Sequence, residues 1–218
     1  MPKQKSRTSP EAAKPFNPLE KKHLGESVAA ALLAQEKHAL PLKARFSGAG
    51  LYALYYSGDH PLYQPLRALI PEEEDEIPIY VGKAIPAGGR KGGLGLDVPA
   101  GQVLYKRINE HAESIGHTKS LNLKHFSCRY LVADDIWIPL GESLLIEKFA
   151  PLWNKVVDGF GNHDPGAGRY QQQKSPWDTL HEGRPWANRL NQSKKTADAI
   201  RDSIIKHFAE IERLRKSK

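Results

Sequence analysis

Apolar positions recur along the chain in two distinct rhythms. From Leu19 to about His38, the residues Leu24, Val28, Leu32 and Leu33 fall at helical spacing before Pro41 closes the segment. Residues 50–57, GLYALYYS, are apolar at both alternating positions, as in a strand covered on both faces. IYVG follows Pro78 and predicts a second strand, since proline is tolerated at a strand entrance. In HFSCRYLV, Phe126, Cys128, Tyr130 and Val132 share one face of a third. Helical spacing returns in VLYKRINEHAESI and in IPLGESLLIEKFAPLW, which Pro151 terminates. A last helix from about Ser193 to Leu214 places Ala197, Ile200, Ile204, Phe208, Ile211 and Leu214 on one stripe; packing on its own core is the default for such a face.

The segments between these elements lack a period. Residues 1–18 are rich in Lys, Ser and Pro and predict a mobile basic arm. The first two strands are separated by an excursion whose acidic run, Glu72 to Glu76, predicts a solvated loop. The glycine-rich IPAGGRKGGLGLDVPAG cannot easily hold a helix or strand, and it lacks the ordered glycines of a P-loop or a dinucleotide fold. It predicts a flexible loop carrying Arg90 and Lys91. A polar, turn-rich stretch with Trp177 and Trp186 precedes the last helix. The expected organisation is an arm (1–18), an N-terminal helical extension (19–45), a core with insertions (46–156), and a loop with a C-terminal helix (157–218).

Composition narrows the partners. At 218 residues, 39% hydrophobic and 26% charged, the chain can bury one core. Its net charge of +7 favours a polyanionic partner, a property shared by nucleic-acid, ribosome and membrane-surface proteins. The single Cys128 excludes an intramolecular disulfide and a cysteine-rich zinc site. No stretch approaches the ~18 apolar residues of a membrane span, and the first residues lack the apolar middle of a signal peptide, so a cytoplasmic protein without membrane partners is expected.

Several side chains could do chemistry. Arg107 and His111 are four apart in a predicted helix and share a face, where a guanidinium can grip a phosphate in forked geometry. An exposed helix pair would look the same. Glu142, in the first turn of the next helix, could hold Mg²⁺ through one oxygen with water completing the octahedron. Helix N-terminal charge complementarity favours a glutamate there too. Tyr52 and Tyr80 sit in apolar strands as core aromatics would. A phenol titrates near ~10, so a tyrosine base needs a nearby cation, for which Lys83 is a candidate.

Taken in order, these residues resemble a known signature. Gly50-Leu51-Tyr52 with Tyr80-Val81-Gly82-Lys83-Ala84 is similar to the paired motif of the GIY-YIG nuclease superfamily, and ESLLIEKFAPLWN, Glu142 to Asn154, resembles its last helix. The resemblance covers about residues 50–156. It implies an α+β fold with a small three-stranded antiparallel sheet flanked by helices, one divalent metal, Mg²⁺, per active site, and hydrolysis of a phosphodiester. By motif position, Tyr52 and Tyr80 would handle the nucleophilic water, either being able to act as base, and Arg107 would contact the phosphate. His111 would support the base or phosphate, Glu142 would ligate the metal, and Asn154 would anchor the site.

With only about sixty residues after the core, a chain that both cuts and targets DNA fits a type II restriction endonuclease. It resembles the GIY-YIG restriction enzymes of the SacII-isoschizomer branch, which cut CCGCGG. A palindromic target implies a homodimer, at least on double-stranded DNA. G·C pairs in the major groove favour Arg and Lys donors. The candidates are Arg90, Lys91, Arg169, Lys174, Arg184 and Arg189, each of which could equally meet a phosphate or solvent. The rivals are a structure-specific repair or homing enzyme and a non-catalytic nucleic-acid-binding protein.

Overall fold

The computed structural model describes residues 17–68, 76–86 and 100–216, so the basic arm to residue 16 and the loop with Arg90 and Lys91 lie outside the described residues. The helices are α1 (Lys21–Leu33), α2 (Pro65–Ala68), α3 (Val103–Gly116), α4 (Ile138–Phe149), α5 (Leu152–Lys155), α6 (Pro176–Leu180) and α7 (Ala197–Lys216). The strands are β1 (His38–Ala39), β2 (Gly50–Tyr56), β3 (Tyr80–Ala84) and β4 (Phe126–Val132), in one antiparallel sheet of order β1-β4-β2-β3.

The three predicted strands are present, but the expected three-stranded sheet has four. The helix predicted to reach His38 ends at Leu33, and His38 and Ala39 instead pair with Cys128 and Ser127. Two residues are too few to display an alternation, and their pairing covers an edge of β4 that would otherwise be open.

β2 is buried on both faces because a helical layer covers each. Leu51, Ala53 and Tyr55 pack with Val81 against Ala29 and Leu32 of α1 and Ile138 and Leu145 of α4. Tyr52 and Leu54 face the other way, into a cluster with Leu104 and Ile108 of α3 and Ile200, Ile204 and Phe208 of α7. Ile200, Ile204 and Phe208 of the predicted stripe are thus covered by their own chain, while the Leu214 side chain lies outside the described residues. α1, the helix of the N-terminal extension, lies directly on α4. A Cβ on Gly25 would stand 3.4 Å from Leu140 and Leu144, and one on Gly141 would stand 2.5 Å from Val28 Cγ1.

The helix ends where Pro151 predicts, so Glu142 to Asn154, which resembles a single last helix, forms two. Ala150 takes a left-handed conformation (φ 43°), its N–H donating to Ile146 O, and Pro151 cannot extend the α4 ladder. The break turns α5 onto the free edge of β3, where Trp153 N–H donates to Ile79 O at 2.9 Å. No helix among the described residues is long and apolar enough to cross a membrane.

Candidate active site

The register of β2 and β3 sets the two motif tyrosines side by side. Tyr52 faces Gly82 across the ladder, and a Cβ at position 82 would lie 2.6 Å from Tyr52 Cζ and 2.9 Å from Tyr80 Cε1. Only glycine leaves room for both rings, whose centroids are 6.2 Å apart. Arg107 and His111, one turn apart on α3, close over them. Tyr52 Oη lies 2.6 Å from His111 Nε2, and the imidazole stacks on Phe160 at 4.4 Å.

Burial raises the Tyr52 phenol well above its ordinary value; Tyr80 adds to this and Arg107 opposes it. Tyr80 retains some exposure, and its phenol is also raised, mainly by burial, with Arg107 opposing and Glu142 reinforcing. His111 is pushed well below the usual histidine range by burial and then by the Arg107 charge, so the imidazole is neutral. One ring nitrogen can therefore donate and the other accept.

The cation that favours the phenolates is Arg107, not Lys83 as expected. Side chains alternate along β3, so Lys83 leaves the face opposite Tyr80, and its Nζ lies 2.6 Å from a Glu142 carboxylate oxygen. Glu142 is in the second turn of α4, not the first, because the helix begins at Ile138. Among the described residues no three Asp, Glu, His or Cys side chains gather into a metal-ligand group. A single, partly exposed carboxylate still suits Mg²⁺, which is commonly held by one or two carboxylates and retains several waters.

Asn154 does its work on the backbone. Its Oδ1 accepts from Val81 N–H and its Nδ2 donates to Val81 O, both at 2.8 Å, satisfying a pair of groups that the β3 edge would leave open. The site thus wraps the edge strand, with Tyr52, Tyr80, Arg107 and His111 on one face and Lys83 and Glu142 on the other. Asn154 clamps the rim.

Residues beyond 156 enter this site, so the boundary drawn there crosses its contacts. Arg107 Nη2 donates to Gly161 O at 2.5 Å, while Nη1 reaches Glu110 Oε2 at 3.1 Å and the His163 ring at 2.6 Å. A Cβ on Gly161 would stand 2.7 Å from Tyr80 Oη. Phe160, Gly161 and His163 sit in a polar, turn-rich stretch with no period, and nothing local to them in the sequence marks their approach to α3.

The proposed DNA readers separate. Arg184 departs from that expectation: it is 2% exposed, bound by two nitrogens to Asp178 at 2.7 Å, and donates to Gly159 O, Phe160 O and Asn162 O. Its donors are taken up by its own chain. Lys174 is largely buried and faces Glu182 at 3.5 Å. Arg189 is exposed, donating to Tyr170 Oη at 2.9 Å, and Arg169 is exposed on the 3₁₀ turn Ala167–Arg169.

No curated protein matches the chain. The family model described as the Eco29kI GIY-YIG domain matches residues 44–208, running from before β2 through most of α7 and so including the turn that meets Arg107. With that match, the chain belongs to the Eco29kI GIY-YIG family of restriction endonucleases.

Proposed function

We propose that the protein is a type II restriction endonuclease that hydrolyses double-stranded DNA at a short palindrome with one Mg²⁺ per active site. The observation that carries this reading is the convergence of Tyr52, Tyr80, Arg107 and His111 on one face of β3, with Glu142 at the other. Tyr80 accepts the proton of the attacking water: it keeps access to solvent, whereas Tyr52 is fully buried. Arg107 favours the ionised form of Tyr80 and stabilises charge growing on the phosphate. Tyr52, bonded to neutral His111, holds the geometry beneath it.

Mg²⁺ on Glu142 would neutralise charge on the phosphate and leaving oxygen. Lys83 must first yield the carboxylate. The resemblance to the CCGCGG-cutting enzymes supplies the target, and the palindrome calls for two sites related by a two-fold axis, hence a homodimer on DNA. Arg90, Lys91, Arg169, Lys174 and Arg189 are the candidates for groove and phosphate contacts.

The test is to incubate the protein and Glu142→Ala with DNA of known sequence, in Mg²⁺ and in chelator, and map the ends. Discrete ends within CCGCGG, with Glu142→Ala bound but inert, are expected. Normal cutting by Glu142→Ala refutes the metal assignment. Cuts confined to lesions or branches indicate a repair-type enzyme, and binding without metal-dependent cleavage by the unaltered protein indicates a non-catalytic binder.

A further inference from the structure

Arg184 is a fully engaged guanidinium a short step from the active site. It is sandwiched between the Trp177 and Trp186 rings at 4.6 and 4.5 Å and paired with Asp178, itself 2% exposed. Asp178 is held in turn by Ser175, whose Oγ donates to Oδ2 at 2.7 Å and accepts the Asp178 N–H at 3.1 Å, capping α6. From this anchor Arg184 donates to the carbonyls of residues 159, 160 and 162. Gly159 sits at φ +102°, so the turn begins in a conformation that only its contacts and its glycine sustain.

The turn that Arg184 gathers is the one that meets Arg107. The two edges of the Arg107 guanidinium differ in kind. Nη2 is held by a backbone carbonyl, Gly161 O, within the gathered turn. Nη1 faces the side chains of Glu110 and His163, which are 49% and 62% exposed and can move aside for a phosphate. One edge is fixed and the other is exchangeable. We infer that Arg184 is a positioning residue for phosphodiester cleavage: with Asp178 it shapes the 159–163 turn so that Gly161 O sets the plane of Arg107 while its other edge stays open to the scissile phosphate. The inference rests on the nuclease reading of Arg107.

The test is Arg184→Lys, which keeps the charge but cannot supply the same fork. Mispositioning by about an ångström costs about 100-fold in rate, so single-turnover cleavage at saturating DNA should fall by about 10- to 100-fold. The Kd for DNA in chelator, and its salt dependence, should remain as in the unaltered protein. A direct DNA contact predicts the reverse, a weaker Kd with a shallower salt slope and an unchanged rate, and that result overturns the inference, as does wild-type behaviour in both measurements. If Arg184→Lys melts below the assay temperature, Asp178→Asn carries the same comparison. The Arg107 side-chain N–H resonance, assigned by its loss in Arg107→Lys, gives a readout independent of cutting. It should shift in Arg184→Lys, and an unmoved resonance overturns the inference. A shifted resonance in a protein that cleaves no DNA leaves the positioning standing and removes the nuclease reading.

Discussion

The Lys83 ammonium and the Glu142 carboxylate meet across the edge of the sheet at 2.6 Å, with the lysine side chain 39% exposed and the glutamate 17%. The pair neutralises the carboxylate that would hold the metal. Partly exposed pairs contribute about 0.2–1 kcal/mol, so Lys83→Met should lower the Mg²⁺ concentration for half-maximal cleavage by up to about five-fold. A metal titration of the single-turnover rate measures the shift separately from any change in the maximal rate.

The two phenols differ in access, and the pH profile should separate them. Only the phenolate accepts a proton, and burial raises the Tyr80 phenol above its ordinary value. The active fraction therefore grows as pH rises, by up to about tenfold per unit below the pKa of the base. Tyr80→Phe should lose both rate and slope. Tyr52→Phe, which loses the hydroxyl's contacts to His111, Arg107 and Tyr80 but leaves the Tyr80 phenol in place, should cut more slowly but retain the rise. A pH series at saturating DNA and Mg²⁺ decides between them.

The rim of the site depends on Asn154. In Asn154→Ala the N–H and carbonyl of Val81 lose their side-chain partners, at a cost of about 1–3 kcal/mol if they stay buried. Urea unfolding should show that loss. Cleavage should also fall under conditions where the variant remains folded, because β3 carries Tyr80.

Gly141→Ala probes the opposite layer. The added methyl would meet Val28 Cγ1 at 2.5 Å, and overpacking of this kind costs about 1–3 kcal/mol. The melting temperature should drop. Val28→Ala in the same chain should restore part of it, identifying the α1–α4 contact as the cause.

His181 makes stability depend on acid. Burial lowers its imidazole to about 3, and its ring nitrogens are bonded to Tyr63 Oη and Ser120 Oγ. The unfolded chain therefore binds the proton more readily between about pH 6.5 and about 3. The contribution is present above that window and is lost as pH falls through it. Urea midpoints should decline from pH 7 to pH 4, with a shallower decline in His181→Gln. An equal slope in the variant would contradict the assignment.

Much of this was legible in the chain because it is local. The apolar run of β2 predicted a strand covered on both faces, the β4 face of Phe126, Cys128 and Tyr130 packs into the core while Val132 at its end is exposed, and the α7 stripe predicted its buried Ile200, Ile204 and Phe208. The helical spacing of Arg107 and His111 placed them on one side of α3, where the fold brings them to the tyrosines. Strand alternation also separates Lys83 from Tyr80, but that cation's actual partner lies on another helix. The two-residue β1, the burial of Arg184 and the approach of Gly161 to Arg107 were set by tertiary packing alone. Periodicity records which face of an element is buried, because burial repeats with the backbone. It carries no record of which distant carbonyl or carboxylate meets a given charge, since that contact depends on how whole elements pack and leaves no repeat in the chain.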